Sequence, residues 1–154
     1  MELSRILSQA AVRAPLAAGG RRRLFAALGE IAAEAYGLDA AAAAEALGER
    51  EALGPTGVGR GVALPHARME GLDRVVGCFA RLEKPIPFDA VDRQPVDLVF
   101  ALFAPAASGV EHLRALAAVS RVMRDADVCA KLRANRDEQA LHAIITEAPA
   151  ARAA

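Results

Sequence analysis

Two histidines and an arginine are the residues of this sequence best suited to carry chemistry: His66, His112 and Arg50. His66 follows a run, Gly54–Met69, that reads GPTGVGRGVALPHARM, with four glycines in its first eight residues. Val62, Ala63 and Leu64 predict a short buried strand. Pro65 fixes φ and cannot donate to a ladder, so the strand is expected to stop there and present His66 at its end. Strand ends are where ligands collect in α/β folds. An imidazole with a pKa of about 6.5 is substantially neutral at pH 7, so a ring nitrogen is free to attack. The ordinary alternative for a lone histidine is a structural ring satisfied by backbone. A metal ligand needs partners, and His112, His142, Cys78 and Cys129 show no ligand spacing such as H-x-x-x-H. A serine hydrolase wants a G-x-S-x-G elbow, which is absent.

The glycine run invites a phosphate-cradle reading, which narrows on inspection. Gly54-x-x-x-x-Gly59 is followed by Arg60-Gly61, where a nucleotide loop needs Lys and then Ser or Thr. No G-x-G-x-x-G fits either, since Gly57-x-Gly59 leads to Val62 and Gly59-x-Gly61 leads to Leu64. A tight turn feeding a strand is the better reading. His112 lies just after Ser108-Gly109-Val110-Glu111, which matches a capping box and places it in the first turn of a helix. Free amides and the positive dipole end favour an anion there; a neutral core histidine is the alternative. Arg50 belongs to the cluster Glu49-Arg50-Glu51, either a solvated helix end or a cation beside the loop. If the two histidines meet, they and a guanidinium make a compact site for phosphate or carboxylate.

The elements that must position these groups follow from periodicity. Leu3, Ile6 and Leu7 predict one or two helical turns, broken by Ala17-Ala18-Gly19-Gly20. Arg21-Arg22-Arg23 is short and precedes a helix, so a solvated face is preferred to a nucleic-acid patch. Leu24, Leu28, Ile31, Ala32 and Ala35 form one helical stripe, with Gly37 at the C-cap position. Asp39 can N-cap an Ala-rich helix through Leu47. Glu70-Gly71-Leu72-Asp73 is a turn, and Val75–Leu82 a strand. Lys84–Phe88 is an extended edge segment because of its prolines. Pro95–Phe103 is the strongest strand, apolar enough to be buried on both faces. The helix carrying His112 should bury Val110, Leu113, Leu116, Ala117 and Met123 and run to about Arg124. Helices over 127–133 and 137–146 follow, then a frayed tail from Ala148. Strands interspersed with helices give an α/β or α+β sandwich.

Composition sets outer bounds. The chain has 154 residues, and its 19 basic and 19 acidic side chains cancel. Neither charge nor the 4% aromatic content points to nucleic acid. Cys78 and Cys129 lie far apart and read as buried thiols of a reducing compartment. No apolar run approaches the ~20 residues of a membrane span, and no signal peptide is visible, so a cytoplasmic protein without membrane insertion is expected.

One string is more specific than these bounds. Arg50-Glu51-x-Leu53-Gly54-x-Thr56-Gly57-Val58-Gly59-x-Gly61-Val62-Ala63-Leu64-Pro65-His66 resembles the active-site segment of the IIA proteins of the bacterial phosphotransferase system, in the fructose/mannitol/nitrogen-regulatory class. The likeness continues through Gly71-Leu72-Asp73, Pro85–Ala90, Gln94–Phe100 and Glu111–Ala117, and spans about residues 1–146. It implies an α/β fold, a three-layer sandwich with a mixed central sheet flanked by helices. It implies a single domain over residues 1–147, leaving 148–154 as the tail. It implies a phosphorylatable histidine at His66, an accessory histidine at His112 and a phosphate-neutralising arginine at Arg50, with no cofactor and no metal. The implied partners are an HPr-type phosphocarrier protein and regulatory target proteins. Gly71–Arg74 and Pro85–Ala90 look more like the nitrogen-regulatory branch, and a sugar-specific component feeding a separate IIB is the alternative. The sequence departs from the family pattern at Pro55, where Ser is common, and at Ala67, where Gly often follows the histidine.

Overall fold

A computed structural model describes residues 2–152. A 3-10 turn at Leu3–Arg5 leads into strand β1, Leu7–Leu16. Helices α1, Arg21–Tyr36, and α2, Ala40–Leu53, follow as a packed pair. Three short strands come next: β2, Gly57–Gly59; β3, Val62–Ala63; and β4, His66–Met69. The long strands β5, Val76–Ile86, and β6, Val96–Pro105, precede helices α3, Val110–Met123, α4, Ala126–Ala134, and α5, Glu138–Glu147. No helix among the described residues is long and apolar enough to cross a membrane.

The strands form one mixed sheet in the order β1-β5-β6-β3-β2, with β4 also on β6. Helices cover it to make the three-layer α/β sandwich. β5 and β6 are antiparallel, while β1 lies parallel to β5, and β3 and β4 parallel to β6. β6 is the apolar run of the sequence, and Leu98 through Ala104 are all fully buried. The α1 stripe of Leu24, Leu28, Ile31 and Ala32 is buried as its spacing requires. Gly37 closes α1 in the left-handed region at φ 74°, and the Asp39 carboxylate accepts from the Ala42 amide. Cys78 and Cys129 are free buried thiols.

Several expectations are corrected. The N-terminal segment is mostly strand: only Leu3–Arg5 coils, and Leu7 already pairs with Gly77 of β5. Its composition of Ala, Arg, Ser, Gln and Pro is poor in strand formers, and an irregular register between Leu7 and Val12 removes the alternation that marks a strand. Pro65 interrupts a strand and does not end it. Val62 pairs with Leu98, Ala63 with Val99 and His66 with Leu102 in one unbroken register. The Pro65 carbonyl still accepts from the Leu102 amide at 2.9 Å, since a proline loses only its donor. The capping box does not form. Helix α3 starts one residue later than it requires, Gly109 is the N-cap without a side-chain bond, and the Ser108 Oγ is buried without a partner.

The buried face of α3 is also out of phase with the expected stripe. His112, Ala115, Ala118, Val119, Val122 and Met123 face inward, while Val110 is 62% and Leu113 67% exposed. The tail is ordered through Arg152: Pro149–Arg152 makes a 3-10 turn against α3 and α5, with Ala148 and Ala151 buried. The remainder of the expected frayed tail, 153–154, lies outside the described residues.

Candidate active site

His66 opens β4, which among the described residues pairs only with β6, and α2 packs against β4. The hairpin before it is built by composition. Arg60 and Gly61 form the two-residue turn between β2 and β3, with φ 58° and 79°, the left-handed pair of a type I′ turn. That turn is pinned from outside: the Asp92 Oδ2 accepts from the Arg60 amide at 2.8 Å, and Arg133 Nη2 donates to the Arg60 carbonyl at 2.7 Å. Arg133 also engages both oxygens of Asp97.

The His66 Nδ1 lies 2.9 Å from the Leu64 carbonyl oxygen. A carbonyl can only accept, so Nδ1 carries the proton and the Nε2 lone pair is left free. The His112 ring stands edge-on to it, with centroids 5.5 Å apart and planes at 71°. His112 is 7% exposed, and its Nε2 is buried without a hydrogen-bond partner. Burial lowers its pKa below the ordinary 6.5, and the neighbouring His66 and Arg68 lower it further, since a second positive charge is disfavoured there. His112 is therefore neutral at pH 7.

Helix α2 runs two turns beyond the expected Leu47, which places Arg50 in its last turn. Arg50 Nη1 donates to the Gly54 carbonyl at 3.0 Å, closing the helix end onto the glycine loop. The adjacent Glu51 faces inward and is 8% exposed. Its carboxylate accepts from the Thr56 hydroxyl at 2.5 Å and the Thr56 amide at 2.9 Å, with Arg21 Nη1 at 3.7 Å. Thus one helix end holds the loop that precedes the histidine.

A cleft of about 380 Å³ is lined by Arg50, His66, Arg68 and His112, together with Glu49 and Leu53. All three residues singled out in the sequence come together here. Ala67 also lines it, so the methyl that replaces the usual glycine is accommodated. Two participants were missed. Glu51 was read as part of a solvated cluster. Arg68 sits two residues after His66 on the same outward face of β4, where the burial alternates between outward His66 and Arg68 and inward Ala67 and Met69. The period-two rule would have found it had the strand been carried past Pro65. Among the described residues, no three or more His, Cys, Asp or Glu side chains gather as a metal site.

Comparison with known proteins places the chain in a family. Residues 5–148 match the family described as phosphoenolpyruvate-dependent sugar phosphotransferase system, EIIA 2. A nitrogen regulatory protein of Bradyrhizobium diazoefficiens is 42% identical over 150 residues, covering 97% of this chain and 98% of the relative. A fructose-specific EIIA component of Haloferax volcanii is 39% identical over 109 residues, covering 71% of each chain. The crystal structure of the nitrogen regulatory protein IIA-Ntr from Neisseria meningitidis superposes with a TM-score of 0.85 at 34% identity, covering 92% of this chain and 97% of that one. With the sheet, the loop string and the match over nearly its whole length in agreement, this chain belongs to the type 2 EIIA family of the phosphotransferase system.

Proposed function

We propose that this chain accepts a phosphoryl group on His66 Nε2 from the phosphohistidine of an HPr-type carrier, and that its phosphorylation state then governs binding to regulatory target proteins. The observation that carries the acceptor reading is the 2.9 Å bond from His66 Nδ1 to the Leu64 carbonyl. It orients the ring and leaves the Nε2 lone pair as the nucleophile. In the transfer, that lone pair forms the new N–P bond as the carrier's P–N bond breaks and its electron pair returns to the carrier ring. No proton need move, because the Nδ1 proton stays on its hydrogen bond.

The remaining residues divide the work of holding an anion. Phosphoryl transfer depends on positioning and charge neutralisation more than on covalent chemistry from the protein. The Arg50 guanidinium is planar and suited to phosphoryl oxygens. The neutral His112, whose Nε2 has no other partner, donates a hydrogen bond to them. Free amides in the first turn of α3 favour the same charge.

Similarity to nitrogen regulatory proteins along almost the full chain supports a regulatory role in the cytoplasm. A phosphoryl group adds about −1.5 to −2 charge to the surface around the cleft, enough to make or repel a partner contact. The second reading, a sugar-specific component passing phosphate to a separate IIB, is favoured by similarity to a fructose-specific EIIA component. Affinity capture with His66→Ala and with carrier-phosphorylated wild type separates them. The regulatory role predicts target proteins retained in one state and absent in the other. Identical retention by both, together with label passing onward to a IIB domain, contradicts it and supports the transport role.

A further inference from the structure

We infer that Arg68 is a second cation of the phosphoryl site, binding phosphoryl oxygens alongside Arg50; this rests on His66 being the acceptor. Arg68 lines the same cleft as His66, His112 and Arg50. The strand period puts it on the outward face of β4 with His66, while Ala67 and Met69 turn into the core. Among the described residues it makes no ion pair and no side-chain hydrogen bond, whereas Arg50 is tied to the Gly54 carbonyl. Its charge reaches the site, since it helps depress the His112 pKa, behind the larger effects of burial and of His66.

Charge balance gives it a task. The oxygens of a phosphoryl group on His66 carry about two negative charges at neutral pH. Arg50 supplies one positive charge, and His112, whose burial disfavours its charged form, supplies a hydrogen bond. Glu49, which also lines the cleft, adds a negative charge of its own. One guanidinium therefore leaves the group under-neutralised, and Arg68 is the cation within the cleft that remains to offset it. The chemistry of transfer is unchanged: the N–P bond forms at Nε2, the carrier's P–N bond breaks, and Arg68 meets only the equatorial oxygens, where charge is spread in the transition state.

Because transfer from the carrier is reversible, the test is an equilibrium and not a rate. Radiolabelled phosphorylated HPr-type carrier is mixed with wild type, Arg68→Gln or Arg68→Lys, and the phosphoryl distribution between carrier and chain is measured at low and high salt. Weaker docking slows transfer in both directions and leaves the distribution unmoved, so only a contact to the bound phosphoryl group shifts it. Arg68→Gln should lower the share held by the chain roughly 3- to 10-fold at low salt, as expected for a partly solvated charge-assisted contact. The deficit should shrink in about 0.5 M salt, and Arg68→Lys should recover most of it. An unchanged distribution for Arg68→Gln, even with slower transfer, overturns the assignment and leaves His66 as acceptor intact. Wild type that takes no label overturns both.

Discussion

His66 and His112 sit ring against ring, yet their surroundings ask different things of them. The Leu64 carbonyl fixes the protonated nitrogen of His66. Burial keeps His112 unprotonated and its Nε2 unpartnered. The second effect has a stability consequence. The unfolded chain protonates this imidazole near the ordinary value of 6.5, and the folded chain only at lower pH. Below about pH 6.5 the unfolded state binds more protons, so stability is full above that pH and falls as pH drops toward the folded value. Urea unfolding from pH 8 to pH 5 should show this decline, and His112→Gln should flatten it. A slope unaltered by the substitution would remove His112 as its source. At this scale the sequence was informative for residues next to punctuation. His66 follows a proline and His112 follows a helix start, and the fold puts the two rings side by side. Arg68 was hidden by an inference that the strand ended at Pro65, although only a hydrogen-bond donor was missing.

The elements matter through one joint, the end of α2 and the loop after it. Arg50 faces the cleft and Glu51 faces the core, one residue apart on the same helical turn. Glu51 holds Thr56 by hydroxyl and amide, and Arg50 holds Gly54. The loop is therefore anchored twice before it enters β2. Thr56→Val keeps the shape and removes one bond to a buried carboxylate, which should cost about 1–3 kcal/mol. Denaturant midpoints measure that loss, and the phosphoryl transfer rate should fall with it because the loop also orients Arg50. A variant as stable as wild type would show that solvent satisfies Glu51. Helix existence was readable from stripes and caps, as with Gly37 and Asp39. Helix phase was not readable for α3. Its inward face is made of alanines, valines and a histidine, while the bulky Val110 and Leu113 point outward. Size and hydropathy favoured the wrong face. Strand β1 escaped because an irregular register leaves no alternation to read.

At the scale of the molecule, the fold brings three distant segments to one cleft. β4 carries His66 along β6, α2 packs against β4, and α3 follows β6 with His112 beside His66. The strongest strand of the sequence is thus the shared backbone of the site, which explains why the two histidines meet although 45 residues separate their chain positions. Exposed Leu53, Val110 and Leu113 belong to the two helices that carry Arg50 and His112. On the proposed function, a carrier delivering phosphate to His66 reaches the cleft that these helices line. The central strand and the five long helices were open to sequence reasoning, since they rest on long apolar runs, stripes and caps, whereas the three-layer class came from the family resemblance. Which strands were neighbours was not, because pairing is set by packing across the whole chain. The central claim is that His66 Nε2 is the phosphoryl acceptor. Its most direct measurement is peptide mapping by mass spectrometry after transfer from a phosphorylated HPr-type carrier, with phosphorus NMR to identify the ring nitrogen. The account predicts one phosphoryl group, on His66 at Nε2, and none on His66→Ala. Label on another residue, or undiminished labelling of His66→Ala, would contradict it.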